Sequence, residues 1–183
     1  SITLVVSFLL FAGAQATFRK GTCNFPTVQK DFQPAKFVGN WYQAGADGPA
    51  RSGDDQQCVH AVYEAVNGTY ISGINYLNVN GTLKLANRPH VECLNLPDAK
   101  CTVEFSDLTF IPKSDYLVVE TDYENYAVIY SCNQYLSGTV AMELLWTLSR
   151  AKTPSSVVFP AAENAIKTQL PLYDFANFQH TPQ

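Results

Sequence analysis

The chain has 183 residues, enough for one domain with a sizeable core or a ligand cavity, and a formal charge of −4 with no long run of one sign. That balance excludes a nucleic-acid binder, which needs a basic face. Aromatic residues make up 13%, with ten Tyr and eleven Phe, a composition that suits a β protein with an apolar interior.

Ile2 to Phe11 form an uncharged apolar run closed by Ala12-Gly13-Ala14-Gln15-Ala16, small residues in the A-x-A pattern that a signal peptidase accepts. Residues 1–16 therefore read as a secretory signal peptide, and 17–183 as a single domain that is secreted and extracellular. The run is too short to span a bilayer, and no later stretch approaches the roughly 20 apolar residues of a membrane helix.

Short runs of alternating polarity follow at regular spacing, at 37–46, 57–66, 69–77, 82–92, 101–110, 116–123, 126–135 and 141–149. Asn67-Gly68 and Asn80-Gly81 have the composition of type I′ hairpin turns. Both continue to Thr, so Asn67 and Asn80 are N-glycosylation sequons in an exported chain. Eight is the strand count of an up-and-down barrel that holds one small ligand. The expected fold is all-β, an eight-stranded antiparallel up-and-down barrel. After the last strand the period changes. Val158, Ala162, Ala165, Ile166 and Leu170 recur at helical spacing, with Glu163 and Lys167 at i, i+4. This predicts one C-terminal α-helix between Ser156 and Leu170, packed on the barrel wall, with Pro160 in its first turn or kinking it and Pro171 ending it. The tail 172–178 can supply a short edge strand.

No catalytic constellation stands out: there is no G-x-S-x-G, H-E-x-x-H, phosphate loop or C-x-x-C. His60, His90 and His180 are scattered. Strand parity puts His60 with Cys58, Val62 and Glu64, opposite Val59, Ala61 and Tyr63, and so on the outside. Asp54 and Asp55 read as solvated charges in a Gly-rich loop, with no metal site expected. The chain reads as a binder and not an enzyme.

Parity also sketches the interior. Met142, Leu144, Trp146 and Leu148 share one apolar strand face, opposite Glu143, Leu145, Thr147 and Ser149. Cys132 shares its face with Val128 and Tyr130, while Ala127, Ile129 and Ser131 point the other way. If the small side faces a cavity, Cys132 faces outward, where a leader can be pinned. Cys93 and Cys101 flank Asn95-Leu96-Pro97-Asp98 and can clip a hairpin, which leaves Cys58 alone.

Gly39-Asn40-Trp41-Tyr42 spends a strand glycine close to a large indole, which favours a close visitor. Leu144-Leu145-Trp146-Thr147-Leu148-Ser149-Arg150 ends in an arginine whose guanidinium can lie across Trp41 and close one barrel end. With Glu120-Thr121-Asp122-Tyr123-Glu124-Asn125-Tyr126, these stretches resemble the three short motifs of the lipocalins, in matching chain order, over the chain from about Gly21 onward. The resemblance implies that Gly39, Trp41, Thr121, Asp122 and Arg150 close the barrel. The strings at 39–43 and 120–132 are similar to the branch holding the crustacyanins, apolipoprotein D and the insect bilin-binding proteins.

That branch implies a Cys23–Cys132 disulfide. It also pairs the cysteine matching Cys58 with one near the C-terminus, where this sequence has none, so Cys58 takes a partner beyond the given end or else Cys93 or Cys101. It implies a pocket lined by Tyr63, Asn75, Leu77, Ile129, Ser131, Leu144 and Trp146, to which parity adds Met142. At Leu77 a histidine of the insect bilin binders is replaced, which argues against biliverdin. The implied function is carriage of a small hydrophobic ligand, held non-covalently: a carotenoid-type pigment such as astaxanthin, alternatively a colourless lipid (fatty acid, sterol, retinoid) or a bilin. A solid interaction barrel is the reading of another class. Homo- or hetero-oligomeric association rests on the resemblance alone.

Overall fold

The computed structural model describes residues 17–47, 56–107 and 113–183; the expected signal segment 1–16 and the loop with Asp54 and Asp55 lie outside the described residues. Strands are β1 (Thr17–Lys20), β2 (Gly39–Asp47), β3 (Gln56–Ala65), β4 (Tyr70–Val79), β5 (Thr82–Asn87), β6 (Pro89–Glu92), β7 (Lys100–Phe105), β8 (Ser114–Thr121), β9 (Tyr126–Tyr135), β10 (Val140–Ser149) and β11 (Phe178–His180). From β2 to β10 successive strands pair antiparallel, except that β5 and β6 do not pair with each other and both pair with β4. β10 then pairs back onto β2, from Trp146 opposite Ala46 to Ser149 opposite Tyr42. The result is a closed eight-stranded barrel, with β5 and β6 sharing one place in the ring and β1 and β11 added outside it on β10 and β2.

The expected strand 82–92 is thus two short ones. Pro89 has no N–H to continue a ladder and begins β6 instead, where a proline is tolerated. The β4–β5 connection keeps the expected hairpin geometry, with Asn80 and Gly81 both left-handed. The Asn67-Gly68 turn departs from it. Residues 66–69 form a longer loop in which the Asn67 Oδ1 accepts from the Thr69 N–H at 2.9 Å, so the side chain makes the turn and neither residue is left-handed.

Two apolar clusters follow from strand parity. One fills the barrel interior around Trp41, Tyr63, Val118 and Ile129. The other lies between the outer wall and α2 (Val158–Gln169), where Ala162, Ala165, Ile166 and Leu170 meet Val119, Val128, Tyr130 and Leu145. Alanines at two contact positions let the helix lie close to the sheet. Pro160 is the third helical residue, in the turn where N–H groups have no intrahelical acceptor, so it costs no hydrogen bond.

The leader before β2 crosses the same outer wall. Glu143 is 1% exposed there, and its carboxylate accepts from Arg19 Nε (2.7 Å), Asn24 Nδ2 (2.9 Å) and the Tyr130 hydroxyl (2.5 Å). Burial by itself would raise the Glu143 pKa, but the Arg19 ion pair and these hydrogen bonds hold it below the usual carboxylate range. A disulfide joins Cys23 to Cys132 beside this cluster, and another joins Cys93 to Cys101 across the β6–β7 turn. Cys58 is a half-buried thiol without a partner among the described residues, and since Cys93 and Cys101 are bonded to each other, its expected alternative pairing with one of them is corrected. It sits in a left-handed bulge at the start of β3, with its N–H donating to the Pro182 carbonyl. The Cys93–Cys101 turn lies at the other end of that strand, roughly 20 Å away by strand rise.

Candidate ligand-binding cavity

One end of the barrel is plugged. The short helix α1 (Pro34–Phe37) drops Phe37 onto the Trp41 ring with centroids 5.1 Å apart, and Phe37 also meets Tyr63 at 5.9 Å. Trp41 is fully buried, and its Nε1–H donates to the Phe37 carbonyl at 2.7 Å. Arg150 covers its other side, with the guanidinium 3.8 Å from the ring centroid. The same group donates to the carbonyls of Lys36, Val38, Asn40 and Tyr123. Gly39 has φ +95°, a conformation that favours glycine, and a Cβ there would stand 3.2 Å from Arg150 Nη1 and press on the guanidinium.

The third motif supplies the turn beneath. Thr121 Oγ1 donates to the Tyr126 carbonyl and accepts from the Tyr123 N–H. Asp122 Oδ1 accepts from the N–H groups of Glu124, Asn125 and Tyr126. Burial raises the Asp122 pKa, but these bonds outweigh it and the net shift is downward. Gly39, Trp41, Thr121, Asp122 and Arg150 therefore meet at one end of the barrel.

Above the plug is a cavity of about 210 Å³. Of the residues expected in the pocket, Tyr63, Asn75, Ile129, Ser131, Met142, Leu144 and Trp146 line it. Leu77 does not: it is buried, but lies further along β4, away from the plug. His60, expected outside, stacks between Tyr42 and Tyr76, and part of it also reaches the cavity wall beside the bulge at Cys58. Tyr135 lines the cavity and is 43% exposed, which marks the mouth opposite Trp41.

The structure adds lining residues that were not foreseen, chiefly Asn87, Val103, Phe105, Tyr116 and Asn133. Parity on β8 and β9 would have found Tyr116 and Asn133. The Asn87 position depends on the β4–β5 register shift and has no local signal. Tyr63 and Tyr116 hydroxyls are hydrogen-bonded at 3.2 Å, and burial pushes both pKa values up, so both remain protonated. Asn75 Nδ2 donates to Asn87 Oδ1 at 2.8 Å. Asn75 Oδ1 and Ser131 Oγ are buried with no hydrogen-bond partner in the protein.

The family model described as Triabin matches residues 14–165. Apolipoprotein D from Macaca fascicularis is 32% identical over 153 residues, covering 81% of this chain and 78% of the relative. Insecticyanin-B from Manduca sexta is 28% identical over 173 residues, covering 91% and 82%. Among solved structures, insecticyanin from the tobacco hornworm superposes with a TM-score of 0.73 at 21% identity over 92% of this chain and 90% of its own. A lobster apocrustacyanin gives 0.71 at 20% identity over 91% of each chain. A family match across most of the sequence, relatives above 30% identity and a shared barrel fold agree that this chain is a lipocalin of the triabin family.

Proposed function

We propose that the chain is a secreted carrier that holds a small hydrophobic ligand in the barrel cavity, with no bond made or broken. The observation that carries this is a cavity with largely apolar walls, closed at one end by Trp41 and open near Tyr135. A concave, mostly apolar pocket with a few polar groups in its wall, here Asn75, Asn87, Ser131 and Asn133, is the usual form of a small-molecule site. The lipocalin family supports the same reading, since its members bind and carry ligands and are not enzymes. A ligand that gives up roughly 200 Å² of apolar surface gains about 5 kcal/mol before ordering costs.

A carotenoid-type pigment such as astaxanthin remains the leading ligand by likeness, with fatty acid, sterol, retinoid or bilin as alternatives. The volume of about 210 Å³ lies below the range of roughly 300–1,000 Å³ usual for pockets that enclose a drug-sized ligand. A long polyene therefore places one end in the cavity and the rest beyond the mouth, whereas a compact lipid fits whole. Trp146 lies in the wall where it would contact either. Export through the segment 1–16, glycans on Asn67 and Asn80 and association with further subunits belong to the same proposal.

An absorption spectrum of protein from its native source, followed by solvent extraction, tests the pigment reading. A visible band that moves to carotenoid wavelengths on extraction supports a pigment carrier. A colourless preparation that yields lipid replaces the pigment with a lipid. If nothing extracts and no added apolar ligand changes tryptophan emission, the carrier reading falls.

A further inference from the structure

Resting on the carrier reading, we infer that the C-terminal tail, residues 178–183, is a displaceable section of the barrel wall and so sets the largest ligand that the cavity encloses. The β2–β3 ladder runs only from Gly39 opposite Tyr63 to Tyr42 opposite His60. Beyond it the tail takes the edge of β2 that β3 leaves, with Phe178 opposite Asp47 and His180 opposite Gly45, while β10 holds the other edge. The tail bonds to both sides of this seam. The Thr181 N–H donates to the Ala44 carbonyl and the Cys58 N–H to the Pro182 carbonyl, each at 3.0 Å. Gln43, Val59 and His60, which border the seam, line the cavity. Gln43 Nε2 donates to Thr181 Oγ1 at 2.8 Å, and Gln183 Nε2 donates to the Gln43 carbonyl at 2.7 Å. Gln43 therefore links the tail to whatever fills the cavity.

The grip on the tail is uneven. Its aromatic contacts lie at its start, where Phe178 stacks on Phe175 and His180 meets Phe159 of α2 edge-on. Gly45 leaves the space that the Phe178 ring occupies. Thr181, Pro182 and Gln183 bring no large apolar side chain and are held by the hydrogen bonds above, which water can replace. Gln179 Oε1 and Gln183 Oε1 are buried without partners, a cost that is removed when the tail leaves the seam. Among the described residues neither disulfide reaches the tail. Segments with few buried apolar contacts open at the least cost in free energy. A ligand larger than about 210 Å³ that stays inside the barrel must move part of the wall, and the tail is the part held in this way.

The test is amide hydrogen exchange read by mass spectrometry on the full chain, with octan-1-ol as a small probe and retinol as a large one. Retinol is expected to speed exchange at least about tenfold in the peptides that carry the Thr181 and Cys58 amides, while it slows exchange elsewhere in the barrel. Octan-1-ol is expected to speed exchange in neither peptide. Thr181→Val removes the hydroxyl that accepts from Gln43 and loosens the tail. That variant should bind retinol about fivefold tighter with octan-1-ol affinity unchanged, because displacing the tail then opposes the larger probe less. Retinol bound with neither peptide speeded leaves its excess length beyond the mouth and overturns the inference, as does a Thr181→Val variant that binds retinol no tighter. Binding of octan-1-ol without binding of retinol also overturns it. Each of these outcomes leaves the carrier reading intact, whereas failure of both probes to bind overturns both.

Discussion

The guanidinium of Arg150, at the end of β10, lies 3.8 Å from the centre of the Trp41 ring on β2 and donates hydrogen bonds to four backbone carbonyls. Those carbonyls belong to α1, to the two residues flanking Gly39 and to the β8–β9 turn. One side chain therefore ties the stretch 36–40 to the β8–β9 turn at the floor of the cavity. Burial lowers the Arg150 pKa, with the Asp122 charge opposing, so the cation stays in place over the ring at any ordinary pH.

Arg150→Ala should lose at least about 3 kcal/mol of stability, because it deletes the cation–π contact and leaves partly buried carbonyls without donors. Arg150→Lys should recover little, since one ammonium cannot reach carbonyls on diverging segments as a planar fork does. Urea unfolding of the two variants checks both statements. A lysine variant as stable as the parent would show that charge alone holds the plug.

Acid should loosen the same end. Asp122 has its pKa lowered by four hydrogen bonds from the turn it caps. A carboxyl whose folded pKa lies below its unfolded value, about 3.9 for Asp, contributes stability above that value and loses it as pH falls through the folded one. Glu143 follows the same rule through Arg19, Tyr130 and Asn24. Stability measured from pH 6 downward should therefore fall below about pH 4, and in Asp122→Asn that fall should be shallower. An unchanged slope in the variant would remove Asp122 from the account.

The reading from sequence succeeded where one strand face carries one chemistry. On β10 the alternation of Met142, Leu144 and Trp146 with Glu143, Leu145 and Thr147 is enough to assign inside and outside, and the structure follows it. It failed where geometry is not periodic. Leu77 has the right parity and is buried, yet it stands outside the lining of this cavity beside the β3 bulge that shifts its register. Asn87 enters through a register shift, and His60 reaches the wall beside a bulge with left-handed Cys58 at its centre. The Glu143–Arg19 pair joins residues whose contact depends on how the leader wraps the barrel, and no local pattern encodes that path.

The Cys23–Cys132 bridge closes a loop with a sequence separation of 109 and ties the leader to the wall under α2. Replacing both cysteines by serine should cost about 2–5 kcal/mol, the usual range for removing a native disulfide from a small domain. Removing the Cys93–Cys101 pair, with a separation of 8, should cost less on loop length alone. Thermal unfolding of the two double variants gives the order. The reverse order would indicate that the short bridge holds the β6–β7 turn by something other than chain entropy.

Gly73 of β4 sits opposite Tyr63, and a Cβ there would stand 2.8 Å from the Tyr63 ring and 2.9 Å from Pro89. Gly73→Ala must displace an aromatic ring that both lines the cavity and hydrogen-bonds Tyr116. The expected loss is about 1–3 kcal/mol, with weaker ligand binding alongside it. Gly81, whose Cβ direction meets nothing within 4 Å, is the contrasting position. Its φ of +79° makes Gly81→Ala a backbone strain, so that variant should lose stability with binding unchanged.

Ser131 and Ser149 are both 1% exposed, yet they should respond to alanine in opposite ways. Ser149 Oγ accepts from the Ala151 N–H at 3.2 Å, so Ser149→Ala breaks a formed bond and should cost about 1 kcal/mol. Ser131 Oγ has no partner in the protein, and its burial is a penalty in the empty barrel. Ser131→Ala should therefore raise the stability of the ligand-free protein by about 1 kcal/mol while weakening ligand binding. Paired denaturation and binding measurements on this variant separate a polar group kept for a ligand from one kept for the fold. A loss of stability with binding unaffected would mean that Ser131 is satisfied within the empty barrel, by ordered water, and has no part in recognition.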